Sequence, residues 1–311
     1  MNRRRADAAL AVNTLIWGST FTVVKVALRD ISPVLFLALR FTLAALALGS
    51  FGLIGWRGIF AGRRAILPGI LTGVLLFAGF LFQTLGLQYT TAPKSAFLTG
   101  LTSILVPLLA ALVYQNKPQL GDVLGLLVAT AGLGLMTLES PIGSVGKGDW
   151  LTLLCAVAFA GHIVSLGHFS SKVSFEVLSV AQVGTAAALA LSLFWWIEPI
   201  RVAWHPAVIY AILITGLLAT ALTFTVQAWA QRHTTATRTA LIYMLEPVFA
   251  WLIAYWALGE GLAGRAAVGA GLILAGVVVV EVKPMHTWLH PLSSGVPRED
   301  YNNATGGRAE E

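Results

Sequence analysis

Charged side chains are scarce in this chain: Asp, Glu, Lys and Arg make up 11% of its 311 residues, against about 25% in ordinary soluble domains. So few charges cannot cover the surface of one large water-soluble domain. Hydrophobic residues make up 57%, which excludes disorder, since a disordered chain is poor in apolar side chains. Cysteine is nearly absent. The single Cys155 excludes an intramolecular disulfide and a thiolate metal site, and it reads as a small apolar residue in a helix. Strand-like alternation of polar and apolar residues is missing too, which excludes a transmembrane β-barrel. The solvent for most of this chain is lipid, and neither metal nor cofactor is expected.

The net charge of +6 does not indicate nucleic acid, because Lys and Arg lie scattered at the ends of apolar runs rather than along one stripe. The bilayer is the partner they fit. A membrane-crossing helix needs about 20 mostly apolar residues, and ten such runs can be marked: 6–28, 33–55, 66–87, 92–114, 119–138, 149–169, 176–197, 206–230, 237–258 and 262–282. Turn chemistry separates them, as at Asp30-Ile31-Ser32-Pro33, Asn116-Lys117-Pro118 and Glu198-Pro199. The expected fold is an all-α integral membrane protein with ten transmembrane helices. Arg3-Arg4-Arg5 before the first run resembles a signal peptide, but the run is too long and no A-x-A site follows. It reads as a retained first span.

Positive charge sets the orientation. With the N-terminus in the cytoplasm, the inner loops hold Arg3, Arg4, Arg5, Arg57, Arg63, Arg64, Lys117, Lys172, Arg232, Arg238 and Lys283, eleven in all. The outer loops hold six: Lys25, Arg29, Lys94, Lys147, Arg201 and Arg265. Both termini are therefore expected in the cytoplasm of a multi-pass protein of the cell (inner) membrane. Residues 1–5 form the cytoplasmic start, 6–138 and 149–282 two five-helix units, and 283–311 a polar, disordered cytoplasmic tail.

The two units repeat each other. Gln83 and Thr90-Thr91-Ala92-Pro93-Lys94-Ser95-Ala96 recur 144 residues later as Gln227 and Thr234-Thr235-Ala236-Thr237-Arg238-Thr239-Ala240. Gly125 and Gly269, and Gly132 and Gly276, match at the same offset. Five spans is an odd number, so the second copy must enter the membrane from the opposite side. Inverted repeats of this kind underlie many secondary transporters, which hold substrate near the midplane between the halves.

Several motifs resemble the EamA-type transporters of the drug/metabolite transporter superfamily. They are Trp17-Gly18-Ser19-Thr20-Phe21 with Lys25 in span one, Pro33 and Leu39-Arg40-Phe41 in span two, and Phe97-Leu98-Thr99-Gly100 with Val106-Pro107 in span four. Leu245-Glu246-Pro247-Val248-Phe249 and Leu258-Gly259-Glu260 in span nine complete the set. Span four ends instead in Tyr114-Gln115-Asn116, without the acid. The resemblance covers residues 6–282. It implies two inverted five-helix repeats and export or exchange of small metabolites, amino acids among them.

Polar groups inside hydrocarbon cost about 2.5–3.5 kcal/mol for a central Arg or Asp, so each needs a reason. Arg40 and Glu246 lie deep in spans two and nine. They read either as ligands for the charged ends of a zwitterion or as a fixed ion pair. Trp17, Thr20 and Phe21 share a face of span one, and Thr99 and Thr102 share one of span four, matched by Tyr243 and Glu246. With Gln83, Gln227 and His162 these form the expected lining of a central cavity for a small-molecule substrate. Glu246 is the expected coupling group. Gly121, Gly125, Gly132, Gly264, Gly271 and Gly276 in spans five and ten suit close helix packing, within the bundle or at a homodimer face. Pro107 and Pro247 are expected to kink their helices one turn apart.

The competing readings are a multidrug or cationic-compound exporter of similar fold and an intramembrane enzyme. Residues 8–28 hold no acid of the kind a small multidrug pump places in its first span. No H-E-x-x-H or G-x-S-x-G motif occurs, so an enzyme is not expected.

Overall fold

The computed structural model describes residues 2–50, 63–90, 92–115, 120–137, 146–258 and 264–281. The 283–311 tail and parts of several loops lie outside the described residues. The helices are α1 Asn2–Ala27, α2 Pro33–Ser50, α3 Arg63–Gly86, α4 Ala92–Gly100, α5 Thr102–Tyr114, α6 Leu120–Thr137 and α7 Lys147–Ser170. The chain continues with α8 Phe175–Ile197, α9 Pro206–Gly216, a π-helical segment Leu217–Leu222, α10 Thr223–Ala230, α11 Ala236–Tyr243, α12 Glu246–Leu258 and α13 Gly264–Glu281. Every expected span coincides with a helix or with consecutive helical pieces.

Helices dominate because hydrocarbon offers no partner to a backbone N–H or C=O, so each must bond within its own segment. Among the described residues seven helical stretches are long and apolar enough to cross a bilayer, and Val123–Leu135 and Gly264–Val279 are shorter apolar helices. Proline starts α2 and α9, where its missing N–H costs nothing. The Thr235 hydroxyl accepts the N–H of Arg238 and caps α11. The first helix begins at Asn2 rather than at residue 6, because Asp7 anchors that turn to the far repeat.

The packing repeats about a pseudo-two-fold axis. Span one (α1) packs on span eight (α9 to α10) and span nine (α11, α12), as span six (α7) packs on span three (α3) and span four (α4, α5). Span two (α2) meets span seven (α8), span four meets span nine, and span five (α6) meets span ten (α13). The loops show that the copies are inverted. The start of α1 lies beside the corner before α11, where Asp7 holds Thr234 and Arg238. The start of α7 lies beside the corner before α4, where Asp149 holds Thr90. A further corner ties the α1–α2 and α8–α9 connections together through the bridge between Ile31 and Val202 and the His205–Asp30 contact at 2.9 Å.

Spans four and nine break at equivalent places, α4 to α5 at Leu101 and α11 to α12 at Met244-Leu245. This corrects the expectation that Pro107 and Pro247 set kinks one turn apart. Pro107 lies within α5 and does not end it. The break instead follows tightened bonds three residues apart, from Leu101 N–H to the Leu98 carbonyl and from Leu245 N–H to the Ile242 carbonyl. Pro247 sits in the first turn of α12, where proline is tolerated.

Glycine packing between α6 and α13 is reciprocal. A methyl group at Gly132 would overlap the Gly269 carbonyl, and one at Gly276 would overlap that of Gly125. Gly121, Gly264 and Gly271 have nothing within 4 Å, so only half of the expected glycines make this contact. Forcing volume into a packed contact costs about 1–3 kcal/mol. Gly132→Val should therefore lower the thermal midpoint of the detergent-solubilised protein, while Gly271→Val should leave it near that of the parent chain.

Candidate functional site

Trp17, partly buried, belongs to a chain of packed aromatic rings. Its ring meets Tyr243 edge-on at 4.9 Å and Phe224 at 5.5 Å. Phe224 continues the group to His162 at 5.7 Å and Phe80 at 6.0 Å, and Phe80 to Phe159 at 5.2 Å. Spans one, three, six, eight and nine each contribute a ring. The helices come this close because Gly18 has no side chain: a methyl there would lie 2.9 Å from the Glu246 carbonyl oxygen and 3.0 Å from the Ala250 nitrogen. The glycine of the Trp-Gly-Ser segment thus seats α1 on the first turn of α12.

Glu246 is the first residue of α12, just past the break in span nine. There the exposed N–H groups of a helix start favour a negative charge. Its carboxylate lies close enough to act electrostatically on Tyr243 and Cys155. Among the described residues no hydrogen bond or ion pair engages that carboxylate. The Gln83 amide donates to the Thr99 hydroxyl at 3.4 Å, and Thr99 lies 3.9 Å from the Cys155 sulfur. Gln83, Thr99 and Cys155 thus form one polar set, Trp17 and Tyr243 an aromatic pair, and the Glu246 charge is felt by both Cys155 and Tyr243.

Other expected lining residues have hydrogen-bond partners within the bundle. Thr20 donates to the Trp17 carbonyl within its own helix at 3.0 Å, and Thr102 donates to the Ala156 carbonyl at 3.2 Å, joining α5 to α7. His162 lies 2.8 Å from the Gln182 side-chain oxygen, and both are almost fully buried. Gln227 donates to Gln231 at 3.3 Å, which in turn donates to the Ile163 carbonyl at 3.0 Å. Phe21 belongs to α1, but its side chain lies outside the described residues. Among the described residues, three buried polar atoms here have no hydrogen-bond partner: Thr223 Oγ1, Gln227 Oε1 and Gln182 Nε2. A buried polar atom left unpaired costs about 1–3 kcal/mol, so each could take a polar partner.

Arg40 has other partners than Glu246. Its Nε donates to Thr220 Oγ1 at 2.7 Å, its Nη2 donates to the Ala219 carbonyl at 3.0 Å, and its guanidinium lies 4.4 Å from the centre of the Phe80 ring. The fixed Arg40–Glu246 pair raised by the sequence is replaced by this arrangement. The acceptors come from the π-helical segment, whose wider winding turns carbonyls away from the ordinary ladder. The Ala219 carbonyl accepts a second bond from Trp17 Nε1 at 3.0 Å, so one carbonyl orients both side chains. Sequence reasoning missed this segment, because its residues are as apolar as their neighbours. It also missed Asn13, whose amide donates to the Thr223 carbonyl at 2.8 Å. Asn13 lies one turn before Trp17, and that spacing could have found it.

The model of the EamA-like transporter family matches residues 4–138 and again residues 146–282. The chain belongs to that family. An uncharacterized transporter of Archaeoglobus fulgidus is 35% identical over 283 residues, covering 91% of this chain and 88% of the relative. The uncharacterized transporter YoaV of Bacillus subtilis is 26% identical over 85% of this chain and 92% of its own. A probable terminal-alkyne amino-acid exporter of Streptantibioticus cattleyicolor is 26% identical over 90% and 94% respectively. One crystal structure superposes with a TM-score of 0.77 at 20% identity, covering 89% of this chain and 98% of that one, which shows the fold. This EamA-like chain is thus a multi-pass membrane protein of a transporter family.

The Arg40 arrangement predicts a stability effect. Thr220→Val removes an acceptor from a buried cation, and a hydrogen bond to a charged group is worth about 1.5–3 kcal/mol. Thermal unfolding should show a loss of that size in the parent chain and little further loss in an Arg40→Gln background.

Proposed function

We propose that this EamA-like transporter moves a small amine-bearing metabolite, amino acids included, across the cell (inner) membrane by alternating access. The observation that carries the reading is the unpartnered Glu246 carboxylate beside Tyr243 and the Trp17 indole, where the two repeats meet. A carboxylate attracts an ammonium group, and aromatic faces attract the same cation by about 0.5–2 kcal/mol. Gln83 and Thr99 offer hydrogen bonds to the rest of a polar molecule. Arg40, held by span eight, sets the wall behind Trp17 rather than receiving a substrate carboxylate. The relative named an amino-acid exporter supports the same class. Both termini lie in the cytoplasm on this reading, in accord with the excess of Lys and Arg on that side.

Glu246 also serves as the coupling group. When unloaded it exchanges a proton with whichever side the path opens to, and amine and proton compete for one carboxylate. Glu246→Gln keeps size and loses charge. In proteoliposomes it should lose saturable amine flux, or retain flux without response to a pH gradient, while the protein stays folded. Unchanged, pH-driven flux in that variant would remove Glu246 from the site. A parallel arm with cationic dyes tests the multidrug alternative: dye flux without amino-acid flux would favour it.

Orientation has its own test. Single cysteines at Lys94 and Arg238, in a Cys155→Ala background, should react with an impermeant thiol reagent from opposite sides, Lys94→Cys from outside and Arg238→Cys from the cytoplasm. Reaction of both from one side would overturn the inverted arrangement.

A further inference from the structure

The two ends of the molecule are closed by the same contact made twice. On the face that carries the N-terminus, Asp7 accepts from Arg238 Nε at 3.0 Å and from the Thr234 hydroxyl at 3.1 Å. On the opposite face Asp149 accepts from the Thr90 hydroxyl at 2.7 Å and from the Gly146 N–H at 2.8 Å. Thr234 is the repeat partner of Thr90, and Asp149 stands in span six where Asp7 stands in span one when Phe159 is matched to Trp17. Each aspartate ties the first helix of one repeat to the corner between the third and fourth spans of the other.

Small residues lie beneath each aspartate. A side chain on Gly148 would come within 2.8 Å of the Gly86 carbonyl oxygen and the Thr90 nitrogen. At the other end Ala6 and Ala230 hold the matching places and are fully buried. The helices therefore touch almost backbone to backbone directly under the hydrogen bonds. The Asp7–Arg238 pair is itself largely shielded, with side chains 15% and 8% exposed, so water weakens it less than a surface pair.

We propose that Asp7 and Asp149 are twin latches that seal the two ends of the transport path and release in alternation. Opening toward the N-terminal face parts α1 from the corner before α11 and breaks the Asp7 contacts while Asp149 holds. Opening toward the other face does the reverse. Alternation prevents a continuous leak, because only one end parts at a time. The inference rests on the alternating-access reading, yet its test needs no substrate.

Cys155 supplies the reporter. It is the only cysteine in the sequence and lies buried beside Thr99, less than two turns along α7 from Asp149. An impermeant methanethiosulfonate, applied to sealed vesicles of either orientation, reads which end admits it. Asp7→Asn should raise modification of Cys155 from the N-terminal side about tenfold, the population change given by losing roughly one charged hydrogen bond. Its rate from the other side should not rise. Asp149→Asn should give the mirror image. Thr234→Val and Thr90→Val, which leave the acids in place, should shift labelling in the same two directions by less, and they carry the test if an aspartate variant fails to fold. Faster labelling from the same side in Asp7→Asn and Asp149→Asn alike, or no change in either, would overturn the latches; the same holds for Thr234→Val and Thr90→Val. Mirror-image labelling in a protein that moves no amine would keep the latches and refute the substrate reading.

Discussion

Hydrocarbon cannot hydrogen-bond, and this constraint decides both where the chain is regular and where it is not. A backbone group left unpaired in lipid costs several kcal/mol, so most of each span is continuous helix. The exceptions are few and they gather. The breaks at Leu101 and Met244-Leu245 and the π-helical turn at Leu217–Leu222 border the same aromatic and polar group. There the freed backbone finds partners in side chains: the Ala219 carbonyl takes Arg40 and Trp17, and the Thr223 carbonyl takes Asn13. Irregular backbone at membrane depth persists where protein, rather than lipid, surrounds it.

The two repeats supply a symmetric frame, but the site inside it is lopsided. Thr102 and Glu246 occupy equivalent places after the two breaks, yet Thr102 bonds the Ala156 carbonyl while Glu246 keeps an unengaged carboxylate. Span three is a continuous helix where span eight carries the π-helical turn. Symmetry accounts for matched closures at two faces, as in the reciprocal glycine contacts of α6 and α13 and the aspartate contacts at the two ends. Asymmetry leaves the Glu246 carboxylate in the second repeat where the first has Thr102.

Much of this was legible in the residues. The apolar runs located the helices, since length and hydrophobicity alone decide what crosses a bilayer, and the Gln83/Gln227 and Thr90/Thr234 matches displayed the repeat. Of the residues singled out, Trp17 meets Tyr243 and Gln83 meets Thr99. Arg40, Thr102 and His162 find partners that no residue pattern announces: the Ala219 and Ala156 carbonyls and the Gln182 side chain. Backbone acceptors carry no sequence signal. The π-helical turn leaves none either, because its winding depends on what packs against it.

In a carrier that alternates between two faces with one site, unlabelled substrate on one side competes with the label for the way back. Counterflow tests that directly. Proteoliposomes loaded with excess unlabelled amine substrate and diluted into a trace of the labelled compound should accumulate label transiently above equilibrium, then lose it. Label that rises only to equilibrium, with no overshoot for a substrate that does permeate, would contradict alternating access and describe a pore instead.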